Sequence, residues 1–122
     1  MRESEIQSHL VKWAEDLSVV YPELKLLNAS LNGIQTLPKV KAMMYSQGMK
    51  KGYPDLFLPV SRVVNGEISH GLFVELKSEG GRPSKEQVWW IDELNRQGYI
   101  AVICYGLEEA QKIICNYLQI RY

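Results

Sequence analysis

The amino-acid sequence predicts an α/β protein in which a mixed β-sheet of about four strands is flanked by helices. Segments with apolar residues at helical spacing alternate with short apolar runs, in the order helix, strand, helix, strand, strand, helix, strand, helix. The last strand follows a helix, so we expect it to lie parallel to a neighbouring strand through a crossover connection. No repeat or interdomain linker interrupts the 122 residues, which predicts one domain over residues 1–122.

The first third of the chain predicts a helix, a strand and a second helix. Ser4 and Gln7 have the spacing of a capping box, and apolar residues then recur every three or four positions, so we expect a helix from residue 4 to about residue 20. The segment Lys25–Ala29 is predicted to be the first strand. Pro38 suits the first position of the second helix, and Gly48 suits its end.

Two apolar runs, Gly52–Leu58 and Gly71–Lys77, predict the middle strands. The Asn65-Gly66 pair between them is a hairpin-type turn signal, so we expect the two strands to be antiparallel neighbours.

The last third of the chain predicts a helix, a buried strand and a final helix. Ser84 and Gln87 again have capping-box spacing, and Gly98 suits the end of the helix that they begin. Residues 99–104 form a continuous apolar run that is typical of a buried strand. The periodicity from Leu107 to about Gln119 predicts the final helix.

The middle strands carry few charges, and these charges predict a metal site. Alternation along a strand places Phe73, Glu75 and Lys77 on one face. If the two runs pair, Asp55 comes close to Glu75. Two carboxylates are hard-oxygen ligands for Mg²⁺, and the ammonium group of Lys77 could orient or deprotonate a water molecule. The alternative is an exposed hairpin on which Glu75 and Lys77 are merely solvated.

The net charge of zero argues against a nucleic-acid partner, but the distribution of the charges favours one. From Leu24 to Pro54 the sequence contains no acid, while it supplies five lysines, and two more basic residues follow the Glu75–Lys77 strand. Ordinary solvated lysines are the alternative for each residue taken singly. The basic residues are Lys25, Lys39, Lys41, Lys50, Lys51, Arg82 and Lys85.

Other features of the sequence favour a protein of the cytoplasm. No apolar run approaches eighteen residues, and the N-terminus has no signal-peptide core, so we expect no membrane partner. Cys104 and Cys115 fit no metal spacing and are interpreted as buried thiols. His9 and His70 are too far apart in sequence to indicate a zinc site.

Taken together, the Pro54-Asp55 and Glu75-Leu76-Lys77 pieces resemble the signature of the PD-(D/E)xK nucleases. Over nearly the whole length, the chain resembles a stand-alone VRR-NUC domain, a branch of these nucleases found alone in phages and fused to larger DNA-repair nucleases. The resemblance implies a restriction-endonuclease-like core. The residues that carry it are Glu5, Gln7, Gly48–Leu58, Gly71–Lys77, Ser84, Gln87, Trp90, Gly98 and Tyr99.

The resemblance implies a role for each matching residue. Asp55 and Glu75 would ligate Mg²⁺, for which Mn²⁺ could substitute, with the backbone carbonyl of Leu76 as a further ligand. Lys77 would position or activate the attacking water. Two further catalytic residues would be Glu5, completing the acidic pocket, and Gln87, orienting Lys77 or the nucleophile. The DNA-binding residues would be Lys50, Lys51, Arg82, Ser84 and Lys85.

By the same resemblance, the expected activity is structure-selective hydrolysis of DNA phosphodiesters without an organic cofactor. Small Holliday-junction resolvases act as symmetric dimers, so we expect a homodimer that cuts branched DNA in a phage-infected or bacterial cell. Trp89, Tyr117 and Tyr122 are candidates for its interface. The alternatives are a flap- or nick-directed nuclease that cuts one strand and a catalytically silent DNA-binding module.

Overall fold

The computed structural model describes residues 1–121 and confirms the predicted α/β architecture. The elements are α1 (Glu3–Leu17), a 3₁₀ helix (Pro22–Leu26), β1 (Asn28–Ala29), α2 (Pro38–Ser46), β2 (Leu56–Leu58), β3 (Arg62–Val64), β4 (Glu67–Ser69), β5 (Leu72–Lys77), α3 (Lys85–Arg96), β6 (Ile100–Tyr105) and α4 (Leu107–Leu118). The main sheet has four strands in the order β1-β2-β5-β6, and a separate hairpin pairs β3 with β4.

The pairing of the central strands agrees with the sequence prediction. Strand β2 runs antiparallel to β5, with Leu56 opposite Val74. Strand β6 runs parallel to β5 along its whole length, from Leu72 opposite Ile100 to Lys77 opposite Tyr105. Helix α3 forms the crossover between these two parallel strands.

The two faces of the sheet have different packing. On one face, α1 and α4 bury an aliphatic core, and each leucine removed from water there stabilises the fold by about 1.5–3 kcal/mol. On the other face lie aromatic rings, among which Phe57 and Phe73 stack with centroids 4.1 Å apart. Strand β5 is buried along its entire length, so the charged side chains of Glu75 and Lys77 are held in a sheet that excludes water on both sides.

Three local predictions are wrong at their boundaries. Helix α1 begins at Glu3 with Arg2 at the cap position, so Ser4 lies inside the helix rather than capping it, and the helix ends at Leu17. Only the end of the segment predicted as the first strand is a strand: Lys25 and Leu26 belong to the 3₁₀ helix that begins at Pro22, and Asn28 and Ala29 form β1. The Asn65-Gly66 turn closes the separate β3–β4 hairpin, which the sequence analysis did not anticipate.

Other local predictions are confirmed. Pro38 begins α2, and Ser84 caps α3 through a complete capping box with Gln87. Cys104 and Cys115 are both buried free thiols. Within residues 1–121, none of the helices combines the length and the apolar character needed to cross a bilayer.

Candidate active site

The antiparallel pairing of β2 and β5 brings two carboxylates together. Continuing the register by one residue beyond Leu56–Val74 places Asp55 directly opposite Glu75. Alternation puts both side chains on the aromatic face of the sheet, where they hydrogen-bond to each other. Glu75 is only 2% exposed. Like charges directly opposite each other across two strands are destabilising, so this pair requires a physical explanation.

Burial and mutual repulsion change the protonation of the two acids. Burial is the main reason that the pKa of Glu75 is raised to about 9, and the neighbouring Asp55 raises it further. Burial also raises the pKa of Asp55, against a lowering contribution from the backbone N–H of Leu76. The pair therefore holds a proton at neutral pH when no cation is bound. A divalent cation bound here would favour the ionised carboxylates and so displace that proton.

Pro54 and Asp55 interrupt the hydrogen-bond ladder beside Leu76. The N–H of Leu76 donates to Oδ2 of Asp55 at 2.7 Å instead of to a backbone carbonyl. The N–H and C=O groups of a strand residue point to the same side, so the carbonyl of Leu76 also faces β2. Continuing the register by two residues beyond Leu56–Val74 places Pro54 opposite Leu76. Because proline has no N–H, it cannot donate to the Leu76 carbonyl. The Pro-Asp sequence thus orients the Asp55 carboxylate and leaves the Leu76 carbonyl oxygen without a backbone donor on the same side of the strand.

Lys77 lies two residues beyond Glu75 on the same face and is 8% exposed. Its Nζ is 3.8 Å from Oε2 of Glu3, and its positive charge also lowers the pKa values of Asp55 and Glu75. The loop after β5 covers its side chain, since a Cβ added to Gly81 would be 3.6 Å from Cδ of Lys77. The ammonium group is therefore held beside the carboxylates.

Gln87 connects helix α3 to the carboxylate pair. Its Nε2 donates to Oε2 of Glu75 at 3.0 Å, while its Oε1 accepts from the backbone N–H of Ser84 at 2.8 Å. The same side chain therefore completes the capping box and orients Glu75. Its partner in the site is Glu75, so the expected role of Gln87 in orienting Lys77 or the nucleophile stays a prediction.

Glu3, which the sequence analysis overlooked, takes the place expected for Glu5. Glu3 lines a cavity of about 240 Å³ together with Asp55 and the loop from Leu31 to Ile34. Glu5 instead pairs with Arg2 at 2.7 Å, which lowers its pKa, and it is not among the residues that line this cavity. The physical reason is helical geometry.

Residues two apart on an α-helix are separated by about 200°, so Glu3 and Glu5 cannot both face the sheet. The buried positions Ile6, Leu10 and Ala14 define the inward stripe of α1. Extending that stripe backwards by three or four residues leads to Glu3. The periodicity in the sequence could therefore have indicated that Glu3, rather than Glu5, lies beside Asp55 and Lys77.

The predicted DNA-binding residues are at the surface around α3. Lys50, Lys51, Arg82, Ser84 and Lys85 are all exposed. Nζ of Lys51 is 3.6 Å from Oε1 of Glu86, which places the loop before Asp55 against the first turn of α3. Ser84 has a definite structural function as the helix cap, since its Oγ accepts from the N–H of Gln87 at 3.1 Å.

The donor set around Asp55 fits Mg²⁺ or Mn²⁺. Mg²⁺ is usually held by one or two carboxylates, with waters and substrate phosphates completing its octahedron. Asp55, Glu75 and the Leu76 carbonyl oxygen supply hard ligands of this kind. Among residues 1–121, no group of three or more histidine, cysteine or acidic side chains could hold a metal ion by itself.

Facing carboxylates and a lysine two residues further along the central strand of a mixed sheet define a domain of the PD-(D/E)xK nuclease type. The chain belongs to the VRR-NUC domain family, which it matches over residues 1–108.

A solved structure described as a VRR_NUC domain protein is similar in fold, with a TM-score of 0.75 and 24% sequence identity. The match covers 98% of this chain and 89% of that chain. A comparison with curated proteins found no match.

Proposed function

We propose that the protein is a metal-dependent, structure-selective DNA endonuclease formed by one domain over residues 1–122. The observation that carries this proposal is the pair of half-buried Asp55 and buried Glu75, opposed across two strands, with buried Lys77 at the next position on the same face. Holding three charged groups together where water is largely excluded is costly in a structural sheet. The arrangement suits a site at which a cation and a phosphodiester meet.

Each group in the site would contribute to hydrolysis in a different way. Bound by Asp55, Glu75 and the carbonyl of Leu76, Mg²⁺ or Mn²⁺ would polarise the phosphodiester and stabilise the charge that develops on it. Lys77 would hold the attacking water in line with the phosphorus, and Gln87 keeps Glu75 oriented. Addition of water and departure of the 3′ oxygen would leave a 5′-phosphate and a 3′-hydroxyl.

Glu3 supports this arrangement from the start of α1. Its carboxylate lies 3.8 Å from Nζ of Lys77 and lines the same cavity as Asp55. The negative charge of an acid at this place attracts the Lys77 ammonium group towards the cavity. We propose that Glu3, rather than Glu5, completes the acidic pocket.

The exposed basic residues beside the site would hold the DNA backbone. Lys50 and Lys51 precede Asp55 by only a few residues, while Arg82 and Lys85 flank the start of α3. Exposed cations beside an acidic site neutralise phosphates without sequence preference. This supports recognition of DNA shape rather than of base sequence.

Among branched substrates, we propose a Holliday junction cut by a homodimer, because two sites related by a two-fold axis cut two strands symmetrically. The interface expected from aromatic residues needs correction. Tyr117 is buried, and its hydroxyl donates to the carbonyl of Val60 at 2.6 Å, so it holds the core together instead of facing a partner. Tyr122 lies outside the described residues.

The test is cleavage of three substrates of equal length by the purified protein. A four-way junction, a flap and a plain duplex are incubated with Mg²⁺ or with EDTA, and the cut positions are mapped on both strands. The proposal predicts paired, symmetric cuts in the junction that require Mg²⁺. Cuts in only one strand at the flap would instead indicate the flap-directed alternative.

The oligomeric state is tested separately by light scattering with and without junction DNA. The proposal predicts the mass of two chains at least in the presence of DNA. A monomer under both conditions would contradict paired cutting by a dimer. It would leave the metal-dependent site itself unaffected.

A further inference from the structure

Helix α3 presents two tryptophans beside three lysines, outside the carboxylate site. Trp89 is 56% exposed, although indole is among the side chains that most favour burial. It lines a groove of about 630 Å³, which is within the usual size range of ligand pockets. We call it the tryptophan groove; its lining residues are Lys50, Lys51, Lys85, Glu86, Trp89 and Trp90.

The walls of the tryptophan groove are held in place by the backbone. Nε1 of Trp90 donates to the carbonyl of Lys51 at 3.1 Å, and the rings of Trp89 and Trp90 meet edge to face with centroids 5.3 Å apart. Gly52 has φ +85°, and a Cβ there would lie 2.6 Å from the backbone carbonyl carbon of Glu86. Only glycine allows the loop with the lysines to approach α3 this closely.

The tryptophan groove leads towards the carboxylate site. A second cavity of about 450 Å³ shares Lys50 and Trp90 with it and extends to Ser30 and Asn32. Leu31, which lies between these two residues, lines the cavity that contains Glu3 and Asp55. A strand whose phosphate lies at the carboxylates can therefore continue past the tryptophans.

We propose that the tryptophan groove binds an unpaired or unstacked nucleobase of the DNA substrate. The base would stack on Trp89, and the lysines would hold the backbone phosphates next to it. This inference rests on the proposed DNA substrate and adds a preference for DNA that exposes a base near the cut. Aromatic rings beside cations form the usual platform for single-stranded nucleic acid. A paired duplex offers no free base face to stack on Trp89.

The charges favour DNA over a second copy of this chain as the occupant. The tryptophan groove has three lysines and one acid, and Glu86 is already paired with Lys51. Two copies meeting through this surface would place cations against cations, which is unfavourable in a self-complementary interface.

The test measures binding in EDTA, so that it does not depend on cleavage. A flap DNA carries 2-aminopurine at each of its first three unpaired positions in turn, and a matched duplex carries it paired. We expect the fluorescence of 2-aminopurine at one unpaired position to be quenched on binding. Trp89→Ala should abolish this quenching and raise the Kd for flap DNA about tenfold. The Kd for duplex DNA should rise by about twofold or less.

Two further variants separate stacking from general damage. Trp89→Phe keeps an aromatic face and should retain most of the quenching. Val88→Ala, at an exposed neighbour on α3 that does not line the tryptophan groove, should behave like the wild type.

The proposal is overturned if Trp89→Ala keeps the quenching, if it weakens flap and duplex binding equally, or if its effect is conversion of a dimer to a monomer. Quenching without any Mg²⁺-dependent cutting would contradict the proposed nuclease activity and support the tryptophan groove. Mg²⁺-dependent cutting without Trp89-dependent quenching would support the proposed nuclease activity and contradict the proposal for the tryptophan groove.

Discussion

Binding of a divalent cation at Asp55 and Glu75 should release a proton. The pKa of Glu75 is raised to about 9, so at pH 7, two units below it, only about 1% of this carboxyl is ionised. A cation that binds the ionised form must displace close to one proton per ion. Its apparent affinity should then rise about tenfold per pH unit from pH 7 and level off above about pH 9.

Isothermal titration calorimetry in two buffers of different ionisation enthalpy measures this proton release directly. Titrations with Mn²⁺ at pH 7 and pH 8 should differ about tenfold in Kd, and the buffer dependence should correspond to nearly one proton. Glu75→Gln should remove both effects, whereas Glu79→Gln, at an exposed acid on the following loop, should change neither. An affinity independent of pH, with no proton release, would refute the reasoning.

The same raised pKa affects the stability of the metal-free protein. Between the ordinary pKa of 4.5 and the raised value of about 9, the folded protein holds a proton at Glu75 that the unfolded chain has lost. The free energy of unfolding should therefore fall as pH rises through this window, by at most about 1.4 kcal/mol per pH unit. Urea unfolding in EDTA at pH 6 and pH 8 should show this fall, and Glu75→Gln should reduce it.

Three further predictions concern the surroundings of the carboxylates. Lys77→Ala should abolish cleavage and leave the circular dichroism spectrum and DNA affinity unchanged; retained turnover would remove Lys77 from the mechanism. Glu3→Gln should reduce the cleavage rate about tenfold or more because it removes the acid beside Lys77, while Glu5→Gln should have little effect; equal rates would refute this assignment. Replacing both Lys50 and Lys51 by glutamate should weaken DNA binding and lower the slope of log Kd against log salt by about 2; an unchanged slope in titrations at several salt concentrations would place the DNA elsewhere.

The sequence predicted the central part of the fold well because its signals are local and strong. The buried runs of β2, β5 and β6 are apolar and bounded by turn residues, and the Ser84–Gln87 capping box appears directly in the sequence. Opposition of Asp55 and Glu75 follows from strand pairing alone. Their juxtaposition could thus be predicted, whereas their roles in catalysis stay predictions.

Other features were missed or depend on tertiary contacts. The apolar stripe of α1 leads to Glu3 rather than Glu5, but the expected cap at Ser4 obscured the start of the helix. The sequence does not distinguish Tyr117 from an aromatic residue at an interface. In the structure Tyr117 is buried, and its hydroxyl donates to Oγ of Ser69 in the β3–β4 hairpin at 3.0 Å. No local pattern indicated that the hairpin would fold back in this way.

The most direct test of the central claim is a single-turnover cleavage assay on a four-way junction with wild-type protein and Lys77→Ala, each with Mg²⁺ or EDTA. The account predicts products with 5′-phosphate and 3′-hydroxyl ends from the wild type with Mg²⁺ alone. It predicts no products from Lys77→Ala, although that variant still binds the junction. Cleavage that persists in EDTA, or a wild type that binds the junction and never cuts it with Mg²⁺, would contradict the assignment of Asp55, Glu75 and Lys77 as the catalytic site.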